Sequence, residues 1–200
     1  MRKSMLVGLI GSNISHSLSP ALHEDAFAAA GIVGHYHLMD VARLKGRQLP
    51  ELLAAVRTAG FDAINVTHPF KEAVLPLLDE VSAGARQIGA VNTVVVDHGG
   101  RTVGHNTDRS GFRRAFEETL GKAVAQDKHV LVLGAGGAGR AVAFALMDLG
   151  VGRILVHAHA AAGHCPAAPG ACRGHELRLQ RRVDHVRDPV PGFDQPLVHR

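Results

Sequence analysis

The stretch KHVLVLGAGGAGRAVAFALMDLG, residues 128–150, decides how the chain is read. KHVLVL (128–133) is an apolar run of strand length, and residues 134–150 carry helical spacing after a glycine-rich opening. Gly134, Gly136 and Gly139 fit G-x-G-x-x-G in the setting that pattern needs, a strand before and a helix after. The first glycine permits a tight turn, the second lets backbone approach a pyrophosphate, and the third lets helix and strand pack closely. The free N–H groups of the helix start favour an anion. Gly134, Ala135, Gly136, Gly137, Ala138 and Gly139 therefore form the candidate cofactor cradle, with a close-packed structural turn as the alternative.

The next strand, GRILVH (152–157), should end on a residue that reads the cofactor ribose. That end is His157-Ala158-His159, with neither an acid for a 2′-hydroxyl nor an arginine for a 2′-phosphate. The chain then changes character. From Ala158 onward it contains no Lys, Ser, Thr or Ile, and five of the nine prolines (Pro166, Pro169, Pro189, Pro191, Pro196) fall there, so apolar periodicity nearly vanishes. Residues 158–200 are expected to be an anomalous, disordered tail. HCPAAPGACRGH (164–175) can be drawn as a His-Cys-Cys-His zinc site, but the tail's composition produces such a string by chance, and no metal is expected.

Toward the N-terminus, strands and helices alternate. MLVGLIG (5–11), HYHLMDV (35–41), FDAINVT (61–67) and VNTVVVD (91–97) read as strands. SPALHEDAFAAAGI (19–32), with Ser19 as N-cap, LPELLAAVRTAG (49–60), FKEAVLPLL (70–78) and RSGFRRAFEETL (109–120) read as helices. The expected class is α/β, with a mostly parallel sheet and helices on both faces. The 200 residues, 46% hydrophobic and 20% charged, suit a globular chain. The net charge of +4 is spread along the chain with 4% aromatic residues, so nucleic acid is not an expected partner. The opening MRKSMLVGLIGSN has too short an apolar run for a signal peptide, and no stretch is long enough to span a membrane. Cys165 and Cys172 both lie late, without a disulfide framework across the body, and a cytoplasmic location is the default.

Several motifs carry chemistry. Ser17 and Ser19 flank a helix start, where two hydroxyls beside free N–H groups can cradle a carboxylate; a plain N-cap is the alternative. NVTHPFK places Asn65 and Thr67 at a strand end and Lys71 in the first turn of the expected helix, a position the helix dipole disfavours for a merely solvated cation. GAVNTV offers Asn92, and GHNTD offers Asn106, Thr107 and Asp108. A lysine and an aspartate meeting there could share a proton as a general acid/base pair, or form an ordinary salt bridge.

SLSP (17–20), NVTHPFK (65–71), GAVNTV (89–94), GHNTD (104–108) and GAGGAGRA (134–141), in that order, resemble the shikimate dehydrogenase family, including its quinate/shikimate branch. The resemblance covers residues 5–157. It implies an N-terminal α/β substrate domain (1–107), the first part of a Rossmann domain (108–157), and the tail (158–200). It implies interconversion of 3-dehydroshikimate and shikimate with NADP, or alternatively NAD. Ser17 and Ser19 would bind the substrate carboxylate, Thr67, Asn92 and Asp108 its ring hydroxyls, and Lys71 paired with Asp108 would be the catalytic acid/base. Quinate as a further substrate, a fragment that only binds shikimate-like acids, and a homodimer stay open. The later family motifs do not follow residue 157, which leaves an unpaired sheet edge, so poor solubility and weak turnover are expected. The break is expected to come from a shift of reading frame near residue 157, natural or a sequencing error, in an NADP-type gene. Genomic DNA across codon 157 checks it: a neighbouring frame that continues the family pattern is expected, and its absence removes the idea.

Overall fold

The computed structural model describes residues 4–44, 46–157 and 183–184. The tail and its zinc drawing otherwise lie outside the described residues. Two compact units divide the chain, the first ending at Gly111 and the second beginning at Phe112.

The first unit is built on a six-stranded sheet. Its strands are β1 (Ser4–Gly11), β2 (Val33–Asp40), β3 (Ala63–Val66), β4 (Glu80–Val81), β5 (Thr93–Val96) and β6 (Thr102–His105), in the spatial order β2-β1-β3-β5-β6-β4. β1 runs parallel to β2 and β3, with Leu9 opposite both Leu38 and Asn65. β4 also runs parallel to β6, so the sheet is mostly parallel as expected, with one antiparallel strand, β5, at its middle. β5 lies antiparallel to β3, and β6 antiparallel to β5. The turn between them is short: Asp97 Oδ1 accepts from the N–H groups of Gly99 and Arg101, and such a connection can only reverse the chain. This reversal brings the start of β5 and the end of β6 to the sheet edge where the parallel strands finish.

Alternation sorts the side chains. Ile10, Met39, Ile64, Val66 and Val94 face one way and pack against Leu52, Leu53 and Val56 of helix α2 (Leu49–Thr58). Val7, Leu9 and Tyr36 face the other way, joined by Phe27 of helix α1 (Ser19–Ala29). The helix expected over 70–78 is not formed. Val74 N donates to Phe70 O, but the next bonds are of the tighter three-residue type, Leu75 N to Glu72 O and Leu77 N to Val74 O. Pro76 has no N–H to continue the ladder, so only a 3₁₀ turn at Leu75–Leu77 remains. In this unit β4 and β6 went unforeseen, as did α3 (Ala83–Ile88), whose Ser82 side chain accepts from Ala85 N.

The second unit contains helix α4 (Asp108–Leu120) from Phe112 onward, β7 (His129–Leu133), α5 (Gly137–Asp148), β8 (Arg153–His157) and the two-residue β9 (Val183–Asp184). The strands are parallel in the order β7-β8-β9. β7 is an edge strand among the described residues, and Leu131 and Leu133 are exposed on it. An apolar groove of about 660 Å³ runs past Phe112, Phe116, Leu120, Val142 and Leu146.

One polar clamp ties the first unit together. Arg57 at the end of α2 reaches Asp79 Oδ2 (3.1 Å) and Thr102 Oγ1 (3.0 Å), while Asp79 accepts from the backbone N–H (2.7 Å) and hydroxyl (2.8 Å) of Thr102. The Thr102 backbone and hydroxyl bonds, with Arg57 beside them, hold the Asp79 carboxyl below its ordinary value. A lowered carboxyl stabilises the fold above its unfolded value and loses that contribution as pH falls through the folded one. Asp79→Asn should therefore lower the melting temperature at neutral pH, with the gap to the parent chain closing in acid. Thermal melts followed by circular dichroism across pH check this; a gap independent of pH overturns it.

Candidate active site

Five chain segments reach the same edge of the first sheet: the exits of β1, β2, β3 and β6 and the entry of β5. Strand ends of this kind are where α/β proteins place ligands, because side chains there leave the sheet without competing for its core.

Lys71 follows β3. Its Nζ lies 2.6 Å from Asp108 Oδ2, and the two side chains are 19% and 32% exposed, so the pair is half sheltered and still reachable. Because Lys71 sits in a turn, the helix-dipole reason for its placement does not hold. Asp108 attracts its ammonium directly, and its own carbonyl is pinned by Val91 N at 2.8 Å. Asp108 opens α4, a position where free N–H groups favour a carboxylate.

Asn92 organises this pair. Its Nδ2 donates to Asp108 Oδ1 (2.8 Å) and Thr107 Oγ1 (2.9 Å), and its Oδ1 accepts from Thr107 N (2.9 Å) and Thr93 Oγ1 (3.0 Å). Both amide hydrogens are thus spent inside the protein, and one of them orients the carboxylate that holds Lys71. Asn106 braces the same turn, donating to Ala90 O and accepting from Asp108 N.

On the β1 side, Ser17 Oγ and Ser19 Oγ are 3.0 Å apart, and Ser17 Oγ accepts from Ser19 N at 3.2 Å. Ser19 is not the N-cap. Leu18 holds that position without a side-chain bond, and Ser19 and Pro20 lie within the first turn, so the Ser19 hydroxyl is free of capping duty. Thr67 sits at the β3 exit with its methyl against Gly11, where any Cβ would collide with it. Sequence reasoning missed Tyr36. It is buried on β2, stacks on His23 with ring centroids 4.4 Å apart, and donates to Asn65 Oδ1 at 2.8 Å. Asn65 in turn donates to Thr93 Oγ1 (3.2 Å), so hydrogen bonds run from the serine pair's neighbourhood to Asn92 and Asp108. Its signal was available: it is the chain's single tyrosine, on a strand beside a polar motif.

The second unit carries the glycine loop. Gly136 is the N-cap of α5, and a Cβ there would meet open space. At Gly139 a Cβ would run into the Gly134 carbonyl, so the helix rides on the loop only because the side chain is missing. Open backbone at the helix start and close packing behind it fit a pyrophosphate. β8 ends on His157, and the segment that would read the ribose lies outside the described residues. Among the described residues no three His, Cys, Asp or Glu side chains cluster to hold a metal ion, and no helix is long and apolar enough to cross a membrane.

Comparison with known proteins agrees with this geometry. Residues 9–94 match the family model described as the shikimate dehydrogenase substrate binding domain. The chain is 52% identical over 155 residues to a quinate/shikimate dehydrogenase (NAD(+)) of Corynebacterium efficiens, covering 76% of this chain and 54% of that one. It is 49% identical over 155 residues to a shikimate dehydrogenase (NADP(+)) of Streptomyces avermitilis, covering 76% and 52%. Among solved structures, quinate dehydrogenase from Corynebacterium glutamicum in complex with NAD superposes with a TM-score of 0.72 at 49% identity, covering 78% and 55%. The chain spans about half the length of the curated relatives it matches.

Burial pushes the Tyr36 hydroxyl up to about 12, against the opposing pull of a hydrogen bond with Ser19. The chain has one tyrosine and no tryptophan, so tyrosinate absorbance reads Tyr36 alone. The expected midpoint for the folded chain is about 12, against 10.0 for an unperturbed tyrosine. Because the folded value is raised, stability from this burial is complete below 10.0 and is lost as pH rises toward 12. A midpoint of 10.0 in a chain still folded by circular dichroism overturns the buried placement.

Proposed function

We propose that, over the residues these matches span, the chain is of the shikimate dehydrogenase family and carries the substrate half of a shikimate dehydrogenase-type oxidoreductase. The reaction is the reversible reduction of 3-dehydroshikimate to shikimate. One observation carries the reading: the 2.6 Å contact of Lys71 with Asp108, whose other oxygen is held by Asn92.

In this reading the substrate carboxylate lies at the Ser17 and Ser19 hydroxyls and its ring hydroxyls lie toward Thr67 and Asp108, while Asn92, whose amide hydrogens go to Asp108 and Thr107, borders the ring and holds Asp108 in place. The Lys71 ammonium gives a proton to the ketone oxygen as the carbonyl carbon gains hydride; in the other direction the neutral amine takes the proton from the alcohol. Asp108 holds the lysine at the reacting oxygen. Bound NADP, or alternatively NAD, supplies or accepts the hydride, and the loop from Gly134 to Gly139 would hold its pyrophosphate. Quinate is a further substrate of the same chemistry. A second reading is a chain that binds shikimate-like acids without turnover. The reading includes a cytoplasmic location, no nucleic-acid or membrane partner, and a homodimer, which light scattering checks.

NAD(P)H formation by the full chain with shikimate or quinate tests the proposal. Lys71→Ala should lower kcat by about 10²–10⁴, the usual weight of a general acid/base, while shikimate binding changes little. Turnover unaffected by that substitution overturns the assignment. If the parent chain is silent but shikimate raises its melting temperature, and Ser17→Ala abolishes that rise, the second reading stands.

A further inference from the structure

The β2 exit holds a buried acid that the proposed chemistry does not use. Asp40 is 6% exposed. Its Oδ1 accepts from Asn13 N (2.8 Å) and Ala42 N (3.1 Å), and its Oδ2 accepts from Ile14 N (3.0 Å). Three backbone donors converge on one carboxylate, an arrangement that repays burial of the charge.

Two of those donors belong to the loop after β1. Asn13 there has φ +58, a left-handed conformation that needs outside support in a residue other than glycine. The loop is gripped from the other side as well, because Ser12 N donates to His68 O at 3.0 Å on the β3 exit. From Ile14 the linkage continues in steps. Ile14 O accepts from Ser17 N (2.9 Å), and Ser17 Oγ accepts from Ser19 N (3.2 Å). A displacement of Ile14 is therefore passed to both serine hydroxyls.

We propose that Asp40 is a positioning residue for the Ser17/Ser19 cradle, fixing the β1–α1 loop so that the two hydroxyls present a ready carboxylate site. This rests on the reading of that cradle as the carboxylate subsite. Asp40 itself touches no ligand. Its carboxylate is needed because both oxygens accept; an amide in its place turns a donor toward an N–H on one side.

The test uses the full chain, with shikimate and the corresponding cyclohexene triol that lacks the carboxylate as probes. Asp40→Asn should weaken shikimate binding about tenfold, the usual effect of losing a hydrogen bond to a charged group, and leave the triol unchanged. A folded Asp40→Asn chain that binds shikimate as the parent does, or that loses both probes equally, overturns the proposal. If that variant does not fold, Asn13→Ala serves instead, because it disturbs the exposed left-handed residue and leaves the buried carboxylate in place. It should show the same selective loss, and an unchanged ratio of the two affinities overturns the inference. If the parent chain binds neither probe, the functional reading fails separately. Amide exchange then decides: faster exchange at Ile14 and Ser17 in the variant, with β1 unchanged, supports positioning, and unchanged exchange refutes it.

Discussion

Asn92 has two amide hydrogens and one carbonyl oxygen on its side chain, and the first unit spends all of them. A buried amide left partly unpaired costs more than the pairing gains, so its four partners are effectively required to be where they are. One is the carboxylate of Asp108, which places Lys71. Another is Thr107, which sets the entry to α4. A third is Thr93, which carries the network back to Asn65 and Tyr36. The backbone of Asn92 is committed too, donating to His105 O and accepting from Val66 N. Residues from three strand ends thus meet at one residue, those of β5 and β6 at its side chain and those of β3 at its carbonyl, and the antiparallel return of β5 and β6 makes the meeting possible.

Much of this was legible in the residues. Strands β1, β2, β3, β7 and β8 follow from apolar runs, and the glycine loop from its setting between a strand and a helix. The pairing of Lys71 with Asp108 was foreseen from two polar motifs at strand ends, although the reason given for the lysine was wrong. Misreadings arose where a local pattern was compatible with two structures. FKEAVLPLL has helical spacing, yet one proline decides against the helix. Ser19 before Pro20 looks like a cap, yet the chain enters the helix one residue earlier. The return of β6 along β5 depended on a short turn, and turn geometry is a weaker signal than hydrophobic period. Tyr36 stood out as the single tyrosine, but its partner, Asn65, is 29 residues away, so only the folded sheet shows the network it joins.

The two units differ in how well they close upon themselves. The first has its sheet packed on both faces by α1 and α2, and its strand ends are laced by polar side chains. In the second, among the described residues, β7 pairs only with β8, and Leu131 and Leu133 are 54% and 74% exposed. Large apolar side chains on an unpaired strand edge favour association with other chains. The first unit is the better finished of the two.

The cradle itself has a consequence for how an acid is held. Ser17 and Ser19 carry no charge, and the one lysine near the chemistry is matched by Asp108. In the proposed reading an anionic guest is therefore gripped by hydroxyl and peptide dipoles rather than by opposite charges. Such contacts act over a few ångströms, shorter than the distance at which dissolved ions at cellular concentration screen a field. Salt that would strip a ligand from an arginine clamp leaves this one nearly untouched, and the guest is chosen by its shape and hydrogen bonding, not by its charge alone.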